Sequence, residues 1–193
     1  MSCHKVGPMR IQIIIGSVRQ GRNSKPVCDW IEQQLRGRTD FQLEVVDLKD
    51  WNLPMFDLPG SPAAGKYQDE TQIKWAECIA RGDGYIFITP EYNHAYSAVL
   101  KNALDYLFAE WNRKPATFVS FGGVGGARAV EQLRQVLVEL RMAPLGDAVH
   151  IQNLWGKVKE GSFHGDESDL KQLNRAVDQL VWWTDALKTA REK

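Results

Sequence analysis

The sequence has no excess of charge of either sign. Lysine and arginine number 24, aspartate and glutamate also number 24, and the formal net charge of the 193 residues is zero. Nucleic-acid-binding proteins usually carry a basic excess or a basic stripe, so this balance argues against a nucleic-acid partner. A near-neutral surface also favours self-association, and we therefore expect a homodimer or homotetramer.

Cysteine is scarce as well. Cys3, Cys28 and Cys78 are scattered and form no Cys-x-x-Cys pair, which argues against a disulfide framework and a zinc site. The apolar run of residues 11–15 is too short for a signal peptide, and no segment is long enough to cross a bilayer. We therefore expect a cytoplasmic protein with reduced thiols, no metal and no membrane partner.

Several catalytic motifs are also missing. The sequence lacks the Gly-x-Gly-x-x-Gly fingerprint, the serine-hydrolase and zinc-protease signatures and paired carboxylates, so no catalytic acid or base is predicted. Residues 60–67 nearly match a Walker A loop, but Tyr67 replaces the magnesium-binding Ser or Thr and no predicted strand precedes them. We interpret this match as a surface loop.

What the sequence does contain is an alternation of short β-branched runs and longer segments with helical periodicity. Strands are predicted at residues 10–15, 41–48, 84–89, 116–121 and 148–152, and helices at residues 25–36, 68–81, 97–110, 127–141 and 170 to about 189. Parallel strands joined by right-handed crossover helices form a sheet that is covered on both faces. We predict one α/β domain spanning residues 1–193, a doubly wound three-layer sandwich.

The first candidate site is the loop of residues 16–24. Ser17, Arg19, Asn23 and Ser24 supply hydroxyl, guanidinium and amide groups beside a helix start. A helix N-terminus offers unpaired N–H donors and partial positive charge, which together hold phosphates. We therefore predict an anion site here; the alternative is a plain turn with arginines facing solvent.

Two further loops follow neighbouring strands. Residues 89–97 contain Pro90, Tyr92 and Asn93, which give a stiff turn, an aromatic wall and an amide beside which a flat heterocycle can stack. Residues 120–128 contain four glycines in five positions, so the backbone can approach a ligand closely. The alternative for residues 89–97 is that the tyrosines only pack the loop against the core. The alternative for residues 120–128 is a simple flexible turn. Because ligands of doubly wound sheets bind beyond the carboxyl ends of the strands, we expect the three loops to converge on one ligand.

These loops carry a resemblance to a known family. The matching stretches are Gly16-Ser17-Val18-Arg19 with Asn23-Ser24, Pro90-Glu91-Tyr92-Asn93 with residues 100–105, and Gly122-Gly123 with residues 125–128. Over about residues 9–152 the sequence resembles the NADPH-dependent FMN reductases, which include quinone, azo-dye and chromate reductases. The resemblance implies a flavodoxin-like fold with a five-stranded parallel sheet in the order 2-1-3-4-5, and a homodimer or homotetramer.

The same resemblance implies a set of FMN-binding residues. These are Gly16, Ser17, Arg19, Asn23, Ser24, Pro90, Glu91, Tyr92, Asn93, Gly122, Gly123 and Val124. The phosphate would be held by Ser17, Arg19, Asn23 and Ser24. The isoalloxazine ring would be flanked by Pro90, Tyr92 and Asn93, and its far edge would be contacted by Gly122, Gly123 and Val124. Arg22 is left open, because relatives vary at that position, and His94 is interpreted as a structural or rim residue.

The implied activity is electron transfer from NADPH or NADH through FMN to a small acceptor. Quinones, azo compounds, free flavins and metal oxyanions are the expected acceptor classes. The alternative is a flavin-binding electron carrier or redox-responsive interaction protein without nicotinamide turnover, against which the zero net charge argues. Residues 153–164 show no resemblance that we recognise, so the identity of the acceptor is left open. The apolar residues 51–56 are expected either at a subunit interface or acceptor pocket, or folded back on their own domain.

Overall fold

The computed structural model describes residues 7–193, so the prediction for Cys3 lies outside the described residues. Its main sheet is built from four long parallel strands: β1 (Arg10–Ile15), β2 (Gln42–Asp47), β3 (Gly84–Pro90) and β4 (Pro115–Phe121). The fifth position is shared by β5 (Ala143–Pro144) and β6 (Val149–Ile151), which both pair with β4 in parallel. The order β2-β1-β3-β4-β5 confirms the predicted doubly wound sheet.

The division of the fifth strand differs from the single strand predicted at residues 148–152. β5 pairs with Pro115 and Ala116, whereas β6 pairs with the far end of β4. Ala143 and Leu145 donate their N–H groups to the Lys114 and Ala116 carbonyls, at 3.0 and 2.8 Å, and beyond them the Asp147 carbonyl accepts the Thr117 hydroxyl at 2.7 Å. The chain therefore leaves the sheet and rejoins it.

Seven helices are found within the described residues. They are α1 (Ser24–Leu35), α2 (Leu48–Trp51), α3 (Glu70–Ala80), α4 (Ala98–Asp105), α5 (Ala127–Glu139), α6 (Leu154–Lys157) and α7 (Glu167–Arg191). Helices α1 and α7 cover one face of the sheet, and α3, α4 and α5 cover the other. Apart from Arg10 and Gln12, the β1 side chains are apolar because successive residues alternate between these two buried faces, with Ile13 on one and Ile14 on the other.

Helix α4 is shorter than the predicted helix over residues 97–110. Ser97 caps its start by accepting a hydrogen bond from the Leu100 N–H at 3.3 Å. Near its end Asn102 donates to the Pro54 carbonyl at 2.7 Å, and the Tyr106 hydroxyl donates to the same oxygen at 2.9 Å. These side chains hold residues 51–56 against the domain, so the segment folds back. Among the large apolar side chains there, Met55 stays 72% exposed.

The near-Walker segment of residues 60–67 and the region between β6 and α7 contain only short elements. Pro62–Ala64 forms a 3-10 helix within a largely exposed loop, and no strand runs into it. After α6 come two short strands, β7 (Val158–Lys159) and β8 (Ser162–Phe163), which form an antiparallel hairpin. Phe163 packs edge-on against Trp30 of α1, with ring centroids 5.3 Å apart. Over the described residues, no helix is both long and apolar enough to span a membrane.

The strand register brings the candidate loops to one edge of the sheet. Ile15, the last residue of β1, pairs with Asp47 and with Ile88. Phe121, the last residue of β4, pairs with Pro90 and with Ile151. All five chain segments therefore leave the sheet at nearly the same level, and their loops face one another.

Candidate functional site

The first loop begins at a position that only glycine fits. Gly16 donates its N–H to the Ile88 carbonyl at 2.8 Å. A Cβ at this position would lie 2.7 Å from that same oxygen, and the Ser97 hydroxyl donates to the Gly16 carbonyl from another side. The close approach fixes the direction in which residues 17–24 leave the sheet.

Arg22 and Asp47 fix the far side of this loop. The guanidinium donates to both carboxylate oxygens of Asp47, at 2.6 and 2.5 Å, and to the Ser17 carbonyl at 2.5 Å. Both side chains are about nine-tenths buried. A bidentate, buried pair of this kind is geometrically rigid, so Arg22 shapes the loop and its charge is already compensated.

The loop ends at the start of α1, where a buried hydroxyl has no partner. Ser24 is fully buried, and its Oγ makes no hydrogen bond within residues 7–193. Asn23 at the N-cap position makes no side-chain capping bond either, and the first turn contains no acidic residue. Buried polar groups are nearly always paired, so an orphan hydroxyl at a helix N-terminus fits a phosphate that binds there.

Arg19 is the other arginine of this loop, and it differs from Arg22 in having no carboxylate partner within the described residues. It is exposed, it forms no ion pair within the described residues, and its guanidinium carbon lies 5.8 Å from the centroid of the Tyr92 ring. That position places a positive charge at the opening between the first and second loops. The guanidinium is free to give charge-assisted hydrogen bonds to an anion.

The second loop makes a tight reversal after β3. Tyr92 and Ala95 exchange backbone hydrogen bonds of 2.8 and 3.0 Å around Asn93 and His94, which have φ angles of 49° and 71°. Both residues are exposed at the turn, and the His94 carbonyl accepts a hydrogen bond from Gln132 at 2.9 Å. The Tyr92 hydroxyl lies 3.2 Å from the Ser17 hydroxyl, which joins this loop to the first.

Glu91 joins the second loop to the third. Its Oε1 accepts hydrogen bonds from Arg128, with an Nε distance of 2.6 Å. The Glu91 side chain is 4% exposed, and its Oε2 is buried without a partner in the described residues. A buried carboxylate oxygen with a free lone pair is an acceptor for an N–H group of a bound ligand.

The third loop depends on a compact glycine turn. Gly126 has φ 77°, and a Cβ there would lie 2.7 Å from the Phe121 nitrogen and from the Ser120 Cβ. The Ser120 hydroxyl donates to the Gly125 carbonyl at 2.8 Å, and the His150 Nδ1 lies 2.9 Å from the same hydroxyl oxygen. Since the hydroxyl has one proton, His150 Nδ1 carries the proton of the second bond. Burial lowers the pKa of His150, which favours the neutral ring.

The loops enclose an open cleft of about 350 Å³. Seven of the predicted residues line it: Arg19, Asn23, Pro90, Glu91, Tyr92, Gly122 and Gly123. Gly16, Ser17 and Ser24 lie buried behind the lining, while Asn93 and Val124 are exposed and not part of it. The structure thus brings the three loops together, with two of the predicted residues at the margin.

Six residues of the site were not among those predicted, two of which, Gly21 and Phe121, line the cleft. Asp47 and Arg128 hold Arg22 and Glu91, and Leu154 and Trp155 line the cleft. Asp47 had a usable signal, because it lies near the carboxyl end of the second strand predicted at residues 41–48, at the same sheet edge. Leu154 and Trp155 fall in residues 153–164, where the sequence alone offered no motif to interpret.

A parallel, doubly wound sheet with an anion-suited helix start and a cleft at the carboxyl ends of its strands defines a flavodoxin-like nucleotide-binding domain. The family model of the NADPH-dependent FMN reductases matches residues 9–156, and the chain belongs to that family.

Individual relatives agree. The chain is 44% identical over 144 residues to an NAD(P)H-dependent FMN reductase of Schizosaccharomyces pombe, covering 72% of each protein. It is 29% identical to a quinone reductase of Pseudomonas putida, covering 86% of this chain and 97% of that one. Among solved structures, a flavoenzyme NAD(P)H:(acceptor) oxidoreductase of Paracoccus denitrificans is 25% identical, with a TM-score of 0.73 over 92% of this chain and 98% of that one.

The protein is therefore an FMN-dependent NAD(P)H oxidoreductase, as predicted from the sequence. The match to reductases favours an enzyme over the alternative of an electron carrier without nicotinamide turnover.

Proposed function

We propose that the cleft holds FMN with its phosphate at the start of α1, and that the enzyme passes electrons from NADPH or NADH to a quinone-type acceptor. The observation that carries this proposal is the orphan Ser24 Oγ at the helix N-terminus. FMN, when bound, supplies the two-electron redox chemistry, and the protein supplies binding, orientation and electrostatics.

Each loop has a defined part in this proposal. The phosphate is surrounded by Ser17, Asn23 and Ser24, and Arg19 adds positive charge from the cleft opening.

The isoalloxazine ring is held by the other two loops. It is flanked by Pro90, Tyr92 and Asn93, and its far edge contacts Gly122, Gly123 and Val124. Glu91 offers its unpartnered Oε2 to an N–H group of the isoalloxazine ring. Gly16 sets the direction in which the first loop leaves the sheet. Arg22 shapes that loop through Asp47 without binding the phosphate.

The acceptor class rests on both the relatives and the chemistry of the site. A relative that matches most of this chain is a quinone reductase. The lining supplies aromatic and glycine surfaces, which suit a flat ring more than a metal oxyanion. The nicotinamide donor and the acceptor would occupy the cleft in turn.

The proposal also includes the assembly and location of the enzyme. Exposed apolar side chains such as Met55 and Val138, 72% and 61% exposed, support a homodimer or homotetramer. Cys28 and Cys78 are buried free thiols, and burial raises the pKa of Cys28 to about 12, so both suit the reducing cytoplasm.

The direct test is the absorption spectrum of the purified protein, followed by NADPH oxidation with 1,4-naphthoquinone. We expect flavin bands at a stoichiometry of one FMN per chain and steady turnover with the quinone. A colourless protein that takes up no FMN would contradict the cofactor assignment, and a yellow protein without turnover would contradict the proposed reaction.

Arg19→Ala is expected to weaken FMN binding by roughly 1.5–3 kcal/mol, because a charge-assisted hydrogen bond to the phosphate is lost. Fluorescence titration of the apoprotein with FMN measures the effect. Arg36→Ala is the matched control, since Arg36 is also exposed but lies at the other end of α1. Equal FMN affinity of the Arg19 variant and the Arg36 control would remove Arg19 from the phosphate site.

A further inference from the structure

Trp155 is a cleft residue to which the FMN-binding pattern assigns no role. It lies on α6, directly after the carboxyl end of β6, and lines the cleft together with Arg19, Tyr92 and Gly123. Its side chain is 66% exposed. A large aromatic ring left open to solvent at a cleft is a common mark of a ligand contact.

The backbone around this ring is firmly held. Leu154 is 1% exposed and packs in the core beneath α6. On the other side, Lys157 forms ion pairs with Asp166 at 2.8 Å and with Asp169 at 2.6 Å, and its carbonyl accepts the His164 N–H at 2.8 Å. The indole is therefore carried at a fixed place on the cleft rim while its own faces stay uncovered.

The other exposed tryptophans, Trp182 and Trp183, differ from Trp155 because each contacts another aromatic ring. Trp182 and Trp183 pack against each other on α7, with ring centroids 5.5 Å apart. Within residues 7–193 Trp155 makes no such ring contact. Trp182 is 63% exposed, almost the same as Trp155, but it is not part of the cleft. Equal exposure in two settings makes Trp182 a matched control.

We propose that the Trp155 indole stacks on the planar ring of the electron acceptor and so selects flat aromatic acceptors such as quinones. The inference rests on the proposed function and deepens it. The buried orphan atoms are Ser24 Oγ, behind the cleft lining, and Glu91 Oε2, in a residue of the lining, and the proposed function places the resident cofactor against them. The exposed Trp155 ring lies at the opening of the cleft, where a ligand that enters and leaves in every cycle contacts the protein. An uncharged indole face suits a neutral quinone.

The first test measures binding without turnover. 1,4-Naphthoquinone is titrated into the oxidised holoenzyme in the absence of nicotinamide, and tryptophan emission is recorded. We expect a saturable quenching component in the wild-type enzyme and in Trp182→Ala, and its loss in Trp155→Ala. Persistence of the same saturable component in Trp155→Ala would overturn the proposal.

The second test separates stacking from a structural role. Trp155→Ala is expected to raise KM for 1,4-naphthoquinone by about tenfold, the effect of one lost aromatic stacking contact, while kcat changes little. Trp155→Phe is expected to retain most of the quinone affinity. The efficiency with ferricyanide, which has no ring to stack, is expected to stay within about twofold, a change worth less than 0.5 kcal/mol.

Three results would contradict the proposal: an unchanged quinone KM in Trp155→Ala, equal losses with quinone and ferricyanide, or a weakened Kd for FMN instead. A failure of the proposed function looks different, because the wild-type protein then binds no FMN or does not reduce the quinone at all. An active, FMN-loaded enzyme that is insensitive at Trp155 rejects only the stacking role.

Discussion

Gly126→Ala is expected to lower the free energy of unfolding of the apoprotein by about 2–4 kcal/mol. The added Cβ would lie 2.7 Å from the Phe121 nitrogen and from the Ser120 Cβ, and the backbone at φ 77° is in the left-handed region that disfavours a side chain. Both neighbours belong to β4, so the turn cannot yield without disturbing the sheet. Urea denaturation followed by circular dichroism measures the loss.

Gly123→Ala is the control from the same loop. A Cβ at Gly123 meets no atom within 4 Å, and we expect its unfolding free energy to stay within about 0.5 kcal/mol of wild type. FMN affinity should fall sharply in the Gly126 variant, since the third loop can no longer close beside the cleft. Equal unfolding free energies for the two variants would show that the glycine turn is not strained in the way described.

Asp47→Ala is expected to destabilise the apoprotein by about 3–5 kcal/mol, the cost of leaving a buried charge unpaired. Arg22 is about nine-tenths buried and gives two of its hydrogen bonds to this carboxylate. Asp47 also caps α2 by accepting the Lys49 N–H at 3.0 Å, which adds to the loss. Chemical denaturation of the apoprotein is again the measurement.

Two controls isolate the buried pair. Asp29→Ala removes the exposed carboxylate that pairs with Lys25, and a change below about 1 kcal/mol is expected there. Adding Arg22→Met to Asp47→Ala should recover part of the stability, because no unpaired charge then remains in the interior. If the double variant is as unstable as Asp47→Ala alone, the unpaired guanidinium is not the cause of the loss.

The sheet was predictable because its signals are local. Most side chains of β1 and β3 are apolar, and the predicted bounds of both strands agree with the structure to within one residue. The alternation with helices then leaves few topologies, since parallel crossovers have one hand. The order of strands followed from the resemblance, and the site loops followed from the rule that ligands bind at the carboxyl ends.

The parts that were not predictable depend on contacts between distant segments. The partner of Arg22 lies 25 residues away, and only the pairing of β2 beside β1 brings Asp47 to it. Strands β7 and β8 have two residues each, too few to show a period. The helical backbone after α4 is lost at Phe108, which has φ −135° and donates its N–H to the Tyr67 hydroxyl at 3.3 Å, a contact that no local pattern in residues 97–110 reveals.

Ser24→Ala tests most directly whether the start of α1 receives the FMN phosphate. The apoproteins of the wild type and of Ser24→Ala are titrated with FMN and with riboflavin, which lacks the phosphate, and the four Kd values are compared. We expect the variant to bind FMN more weakly by about 1–3 kcal/mol and riboflavin unchanged. The apoprotein should be no less stable, because the hydroxyl that is removed has no partner. An equal loss for both ligands, or no loss for FMN, would contradict the account.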